Sequence, residues 1–175
     1  MNDAHTPAKA IQRMDTVLNG IAFVCRVVTG IALVVLTVIF GWLVFGRYVL
    51  NATPTWVEQV ALLLVMLIAF VGAAVGVHEH THLSVNILRS GVAARIRTVF
   101  VVITDLIMGG FGALMMWYGA QLTIFKWGSL IPLIGVPEGL RSLPLTISGG
   151  LILLFTIGHL VRLFAGADER RDSIE

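Results

Sequence analysis

At 175 residues, 57% hydrophobic and 13% charged, with a mean hydropathy of +0.92, the chain is far too apolar for a water-soluble domain, in which about a quarter of residues carry charge. The net charge of +2 and the single cysteine, Cys25, exclude a strongly basic nucleic-acid surface and an intrachain disulfide. The composition is that of an integral membrane protein, and uninterrupted apolar stretches of this length span a bilayer as helices.

Residues 1–19 read as a lead-in at the membrane surface. Ile11, Met14, Leu18 and Ile21 recur at helical spacing with Arg13, Asp15 and Asn19 between them, the pattern of an amphipathic helix lying in the interface. A first span is predicted over residues 20–45, with Arg26 near enough to its start to reach headgroups. It is too long for a signal-peptide core and no cleavage site follows, so it is expected to stay in the mature protein. Asn51 and Pro54 break the chain, and a second span follows over 56–77. Residues 83–88 mix apolar side chains with Asn86 and read as a short interfacial segment. A third span is predicted over 96–125 and a fourth over 142–163, making a membrane domain of 20–165 and a charged tail of 166–175. The connection before the fourth span is rich in proline and glycine yet apolar, WGSLIPLIGVPEGL, and is expected to lie against the bilayer or a partner.

Four spans put both termini on one side. Lys9, Arg13, Arg26, Arg89, Arg95, Arg97, Arg162, Arg170 and Arg171 fall on that side, against Arg47, Lys126 and Arg141 on the other. The excess of positive charge predicts that both termini are cytoplasmic.

Functional candidates gather at the span ends. Arg47 and Glu58 flank the first connection and could form an ion pair locking the turn beside Trp56, or face a partner. At the other end of the second span, HEHTH has the composition of a metal site, but its spacing of two places alternate side chains together only in an extended segment. Helix termination at the headgroups is the preferred role for these histidines, and no metal or other cofactor is expected. Arg26, Asp105 and His159, the ionisable residues set furthest into apolar runs, should form a buried polar cluster. Gly72 and Gly76 make a G-x-x-x-G pair flanked by small residues, suited to close helix packing; Gly109, Gly110 and Gly112 make a second smooth patch. On the outer surface, Arg47, Lys126, Glu138 and Arg141 are placed to touch a docked protein. There is no Walker motif, dinucleotide fingerprint or nucleophile elbow, so an accessory membrane subunit fits better than an enzyme or a self-sufficient carrier.

The order Arg47-Tyr48, then Trp56-x-Glu58, then Gly72 to Ala74, then His82-x-x-Val85-Asn86 resembles the small, DctQ-type membrane subunit of tripartite ATP-independent periplasmic (TRAP) transporters. Two positions depart from the family pattern, Gln59 and Asn86, where the family often has acids. The resemblance implies a bacterial inner-membrane scaffold that assembles with a large DctM-type membrane subunit and a periplasmic DctP-type substrate-binding protein in sodium-coupled uptake of organic acids. It also implies that the small subunit itself holds neither substrate nor sodium. Two other readings stand beside it: a respiratory membrane anchor with haem or quinone between His78 and His159, and the small subunit of a tricarboxylate-type tripartite transporter.

Overall fold

The computed structural model describes residues 5–52, 54–88 and 94–164, with side chains for 12–52, 54–79 and 99–163. Four helices account for nearly all of it: α1 (His5–Tyr48), α2 (Trp56–Leu88), α3 (Ala94–Phe125) and α4 (Leu143–Phe164). All four contain stretches long and apolar enough to cross a membrane. Short 3₁₀ turns, Lys126–Gly128 and Glu138–Arg141, bracket the connection between α3 and α4. Pro144 sits in the first turn of α4, where a missing amide donor costs nothing.

The helices do not close into a symmetric bundle. α4 is packed along both α3 and α2, α1 lies along α2, and α1 meets α4 through Leu18 and Ala22 in its amino-terminal half. The amino-terminal parts of α1 and α3 and the carboxyl-terminal parts of α2 and α4 share one end of the molecule, here the terminal end. The α1–α2 and α3–α4 connections share the other, the loop end.

Two boundaries differ from expectation. The lead-in is not a separate surface segment: α1 runs unbroken for 44 residues, roughly twice what a hydrocarbon core of about 30 Å requires at about 1.5 Å per residue. Its apolar stripe is real, and Leu18 is buried against Phe155 of α4, with Met14, Ile21 and Leu151 partly buried around them. Gly158 makes this possible, because a Cβ there would lie 2.5 Å from Leu18 Cδ1. The second helix likewise does not stop at the histidines but continues to Leu88. Nothing in HEHTHLSVNIL breaks a helix, since it contains neither glycine nor proline; polarity marks where α2 leaves the apolar span, not where it ends.

At the loop end, α1 is turned into α2 by backbone contacts. Val49 N–H donates to Phe45 O (2.9 Å) and Ala52 N–H to Gly46 O (3.0 Å), and Asn51 takes the left-handed conformation (φ 49°) that asparagine tolerates. Gly46 is seated against Ala52 O and Pro54 with no room for a side chain.

Candidate functional site

The polar side chains divide between the two ends. At the terminal end they stitch the helices together. Asp105 of α3 and His159 of α4 meet at 2.5 Å, carboxylate oxygen to Nδ1, with Asp105 buried and His159 largely so. His78 of α2 lies 3.0 Å from the Asn19 amide oxygen of α1 through Nε2, and its ring stacks on Phe155 at 4.5 Å. Asp15 of α1 faces Arg162 of α4 at 3.8 Å, and Arg26 of α1 pairs with Glu79 of α2 on the exposed side. A polar seam therefore ties α1 to α2, α1 to α4 and α3 to α4 at one level. The expected cluster of Arg26, Asp105 and His159 is split: Asp105 and His159 meet, whereas the long side chain of Arg26 finds Glu79 on the neighbouring helix, an opposite charge that lowers the cost of keeping its own.

At the loop end, Lys126 donates to Glu138 at 2.7 Å, and Arg141 donates to the side-chain oxygen of Gln59 in the first turn of α2. Gln59, one of the two departures from the resembling pattern, thus supplies a neutral acceptor that draws Arg141 towards α2. Arg47 and Glu58 do not lock the first connection: both are exposed, and neither has a hydrogen-bond or ion-pair partner among the described residues. The turn is held by the backbone and by Gly46 against Pro54, so it has no need of the ion pair. Tyr48 and Trp56 are also exposed.

Between these ends, residues 27–46 of α1, 60–77 of α2, 106–125 of α3 and 143–158 of α4 carry no charge. The hydroxyls there bond largely to backbone: Ser148 to Phe70 O across the α2–α4 contact (2.7 Å), Thr156 to Ile152 O (2.8 Å) and Thr123 to Gly119 O (2.8 Å). Such bonds satisfy buried hydroxyls in an apolar medium and leave no charged or ionisable chain across the membrane for a solute or proton to follow.

Small residues serve two different faces. Where α3 crosses α4, a Cβ on Gly112 would meet Gly149 O, Ile152 Cγ2 and Leu153 N, each at 3.0 Å, and one on Gly149 would lie 2.4 Å from Met116 N. Of the second smooth patch, Gly109 and Gly112 join this contact, while Gly110 is open. On α2 the buried face is Val57, Ala61, Val71, Ala74 and Val75. Ala69 and Ala73 lie outside it, exposed, with Gly72 and Gly76 half-buried beside them. A Cβ on Gly72 would have nothing within 4 Å. The side chains of His80, His82 and Asn86 lie outside the described residues, although their backbone belongs to α2.

His78 and His159 do line one cavity, together with Asp15, Leu18, Phe155 and Arg162. Its volume of about 20 Å³ admits a single water molecule, not a porphyrin or quinone ring. Each imidazole is also engaged by a neighbouring side chain, so the pair does not fit axial haem ligation.

Comparison with known families adds one finding. The family described as tripartite ATP-independent periplasmic transporters, DctQ component, matches residues 35–166. No curated protein matches the chain.

Proposed function

The chain belongs to the DctQ component family of TRAP transporters, a transporter subunit and not an enzyme, and we propose that it is the scaffold subunit of a sodium-coupled importer of organic acids in a bacterial inner membrane. In this reading it assembles with a large membrane subunit that carries the solute, fed by a periplasmic substrate-binding protein. Both termini are cytoplasmic, in keeping with the distribution of Lys and Arg. The observation that carries the scaffold role is the uncharged middle of all four spans between a terminal-end seam and a loop-end cluster. Its polar groups hold helices together and line no route across the membrane.

The small-residue face of α2, Ala69, Gly72, Ala73 and Gly76, is the face we assign to the large subunit, because close approach of a second helix is what such a face permits and nothing in the chain's own bundle uses Gly72. His82 and Asn86, further along the same helix, are assigned to the same assembly role. Of the four charges considered for contact with the binding protein, Lys126 and Glu138 are spent on each other and Arg141 on Gln59. Arg47 remains available, with Glu58 beside the same turn.

The test is reconstitution of the large subunit in vesicles with and without this chain. Binding of sodium and substrate should reside in the large subunit alone, while uptake should require both chains. Binding of an organic acid or sodium by this chain in isolation would contradict the assignment. Replacing Arg47 by alanine should lower uptake when the binding protein is limiting and have little effect when it is in excess.

A further inference from the structure

Residues 129–137, SLIPLIGVP, connect the third and fourth spans without a single charged side chain. They form a small hairpin with its own backbone bonds. Ile131 N–H donates to Val136 O (2.8 Å), Gly135 N–H to Ile131 O (3.1 Å) and Glu138 N–H to Ser129 O (2.7 Å), and Leu130 stands opposite Pro137. Ile131, 1% exposed, pins the hairpin to the body of the protein. The opposite side is bare: Leu130 is 64% and Leu133 68% exposed.

Leu133 adds a second, independent observation. Its φ is +73°, the left-handed region that a bulky branched side chain enters only at a cost. Glycine or asparagine would turn the chain there with less strain. A leucine held in that conformation and left 68% exposed contributes little packing inside the chain.

We propose that this hairpin is a wedge seated in the membrane interface, with Leu130 and Leu133 in the boundary between headgroups and acyl chains at the loop end. Three features favour lipid over a docked protein. The bare side continues the exposed apolar surface at the end of α3, where Ile124, Phe125 and Trp127 are all uncovered and aromatic residues mark the interfacial level. At the hairpin's base Lys126 pairs with Glu138, and Arg141 donates to Gln59 with its Nε buried and unpaired; residues 129–137 themselves carry no charge, so the tip lacks the polar rim that accompanies a protein interface. The hairpin also satisfies several of its own amides, which suits a poorly hydrated setting. The inference rests on the spans and not on the transporter reading. It implies that a soluble partner is met elsewhere at the loop end.

The experiment places an environment-sensitive fluorophore at Leu133→Cys in the full chain, in a Cys25→Ser background that leaves no other thiol. The purified protein is reconstituted in phosphatidylcholine–phosphatidylglycerol bilayers. Expected are a blue-shifted emission, strong quenching by lipids carrying a nitroxide near the headgroup, weaker quenching by nitroxide near the chain end, and loss of quenching by aqueous iodide. Leu130→Cys, which keeps the turn residue intact, should give the same pattern, and Arg47→Cys should be quenched by iodide. Iodide quenching at 130 and 133 equal to that at 47 would overturn the proposal. So would disappearance of lipid quenching, with iodide still excluded, once the large membrane subunit is reconstituted alongside, since a protein would then be covering the hairpin.

Discussion

On α4, a carbon added at Gly149 would lie 2.4 Å from the backbone nitrogen of Met116; on α2, a carbon added at Gly72 would meet nothing within 4 Å. Both glycines sit in smooth stretches of apolar helices, and both look alike on paper. One stretch is consumed in bringing α3 and α4 into backbone contact, and the other is left open on the outside of the molecule. Whole helices differ as well: 39% of the candidate span at α4 is buried within the chain and 22% of that at α2, against 11% at α3 and 6% at α1. α4 is therefore the centre of the packing, held by α3 on one side and α2 on the other, while α1 and the outer faces of α2 and α3 are left to lipid or to another subunit. In a membrane the apolar effect does not drive helices together, so shape decides which of two smooth faces is used internally.

Substitutions at four positions sharpen or break this contrast, in order of expected effect on the isolated chain. Gly149→Leu should be the most damaging: the added atoms collide with backbone, which cannot yield as a flexible side chain can, and overpacking of this kind costs about 3 kcal/mol or more. Thermal unfolding in detergent should show a large loss or no folded protein, and an unchanged midpoint would contradict the α3–α4 contact. Asp105→Ala should cost about 3 kcal/mol by leaving His159 buried without its partner. Asp105→Asn, which keeps an acceptor of the same shape, should be milder when both are followed by the same unfolding assay. Arg26→Ala removes a pair whose side chains are more than 40% exposed on both sides, and the loss should stay below about 1 kcal/mol. Gly72→Leu should be the mildest, within about 0.5 kcal/mol of the parent in the isolated chain, because the new side chain enters open space.

Span number, span position and the two ends of polar residues are legible in the sequence because the bilayer imposes long uncharged runs and concentrates charge outside them. Element boundaries at the terminal end are not, because polarity and helix breaking are different properties. HEHTH announces the end of an apolar span, yet it contains nothing that stops α2. The stripe of Met14, Leu18 and Ile21 shows one apolar face, but only the glycine at 158 on a distant helix makes that face a protein contact instead of a surface one. Partners across helices were the hardest to foresee. Arg26 with Glu79, Arg141 with Gln59 and His78 with Asn19 join residues more than 50 positions apart, and no spacing rule links them. Asp105 with His159 is equally distant but was legible, because buried ionisable groups in apolar helices seek each other. Which smooth face would be used inside was invisible, since the same small residues serve either purpose.

The central claim is that this chain is a scaffold whose open α2 face receives the large membrane subunit. It is tested most directly by co-purifying the tagged chain with its cognate large subunit in parent and Gly72→Leu forms, with the unfolding midpoint of each isolated chain measured in parallel. The account predicts that the midpoint is unchanged while recovery of the large subunit collapses. Equal recovery of the large subunit by both forms, at equal midpoint, would contradict it.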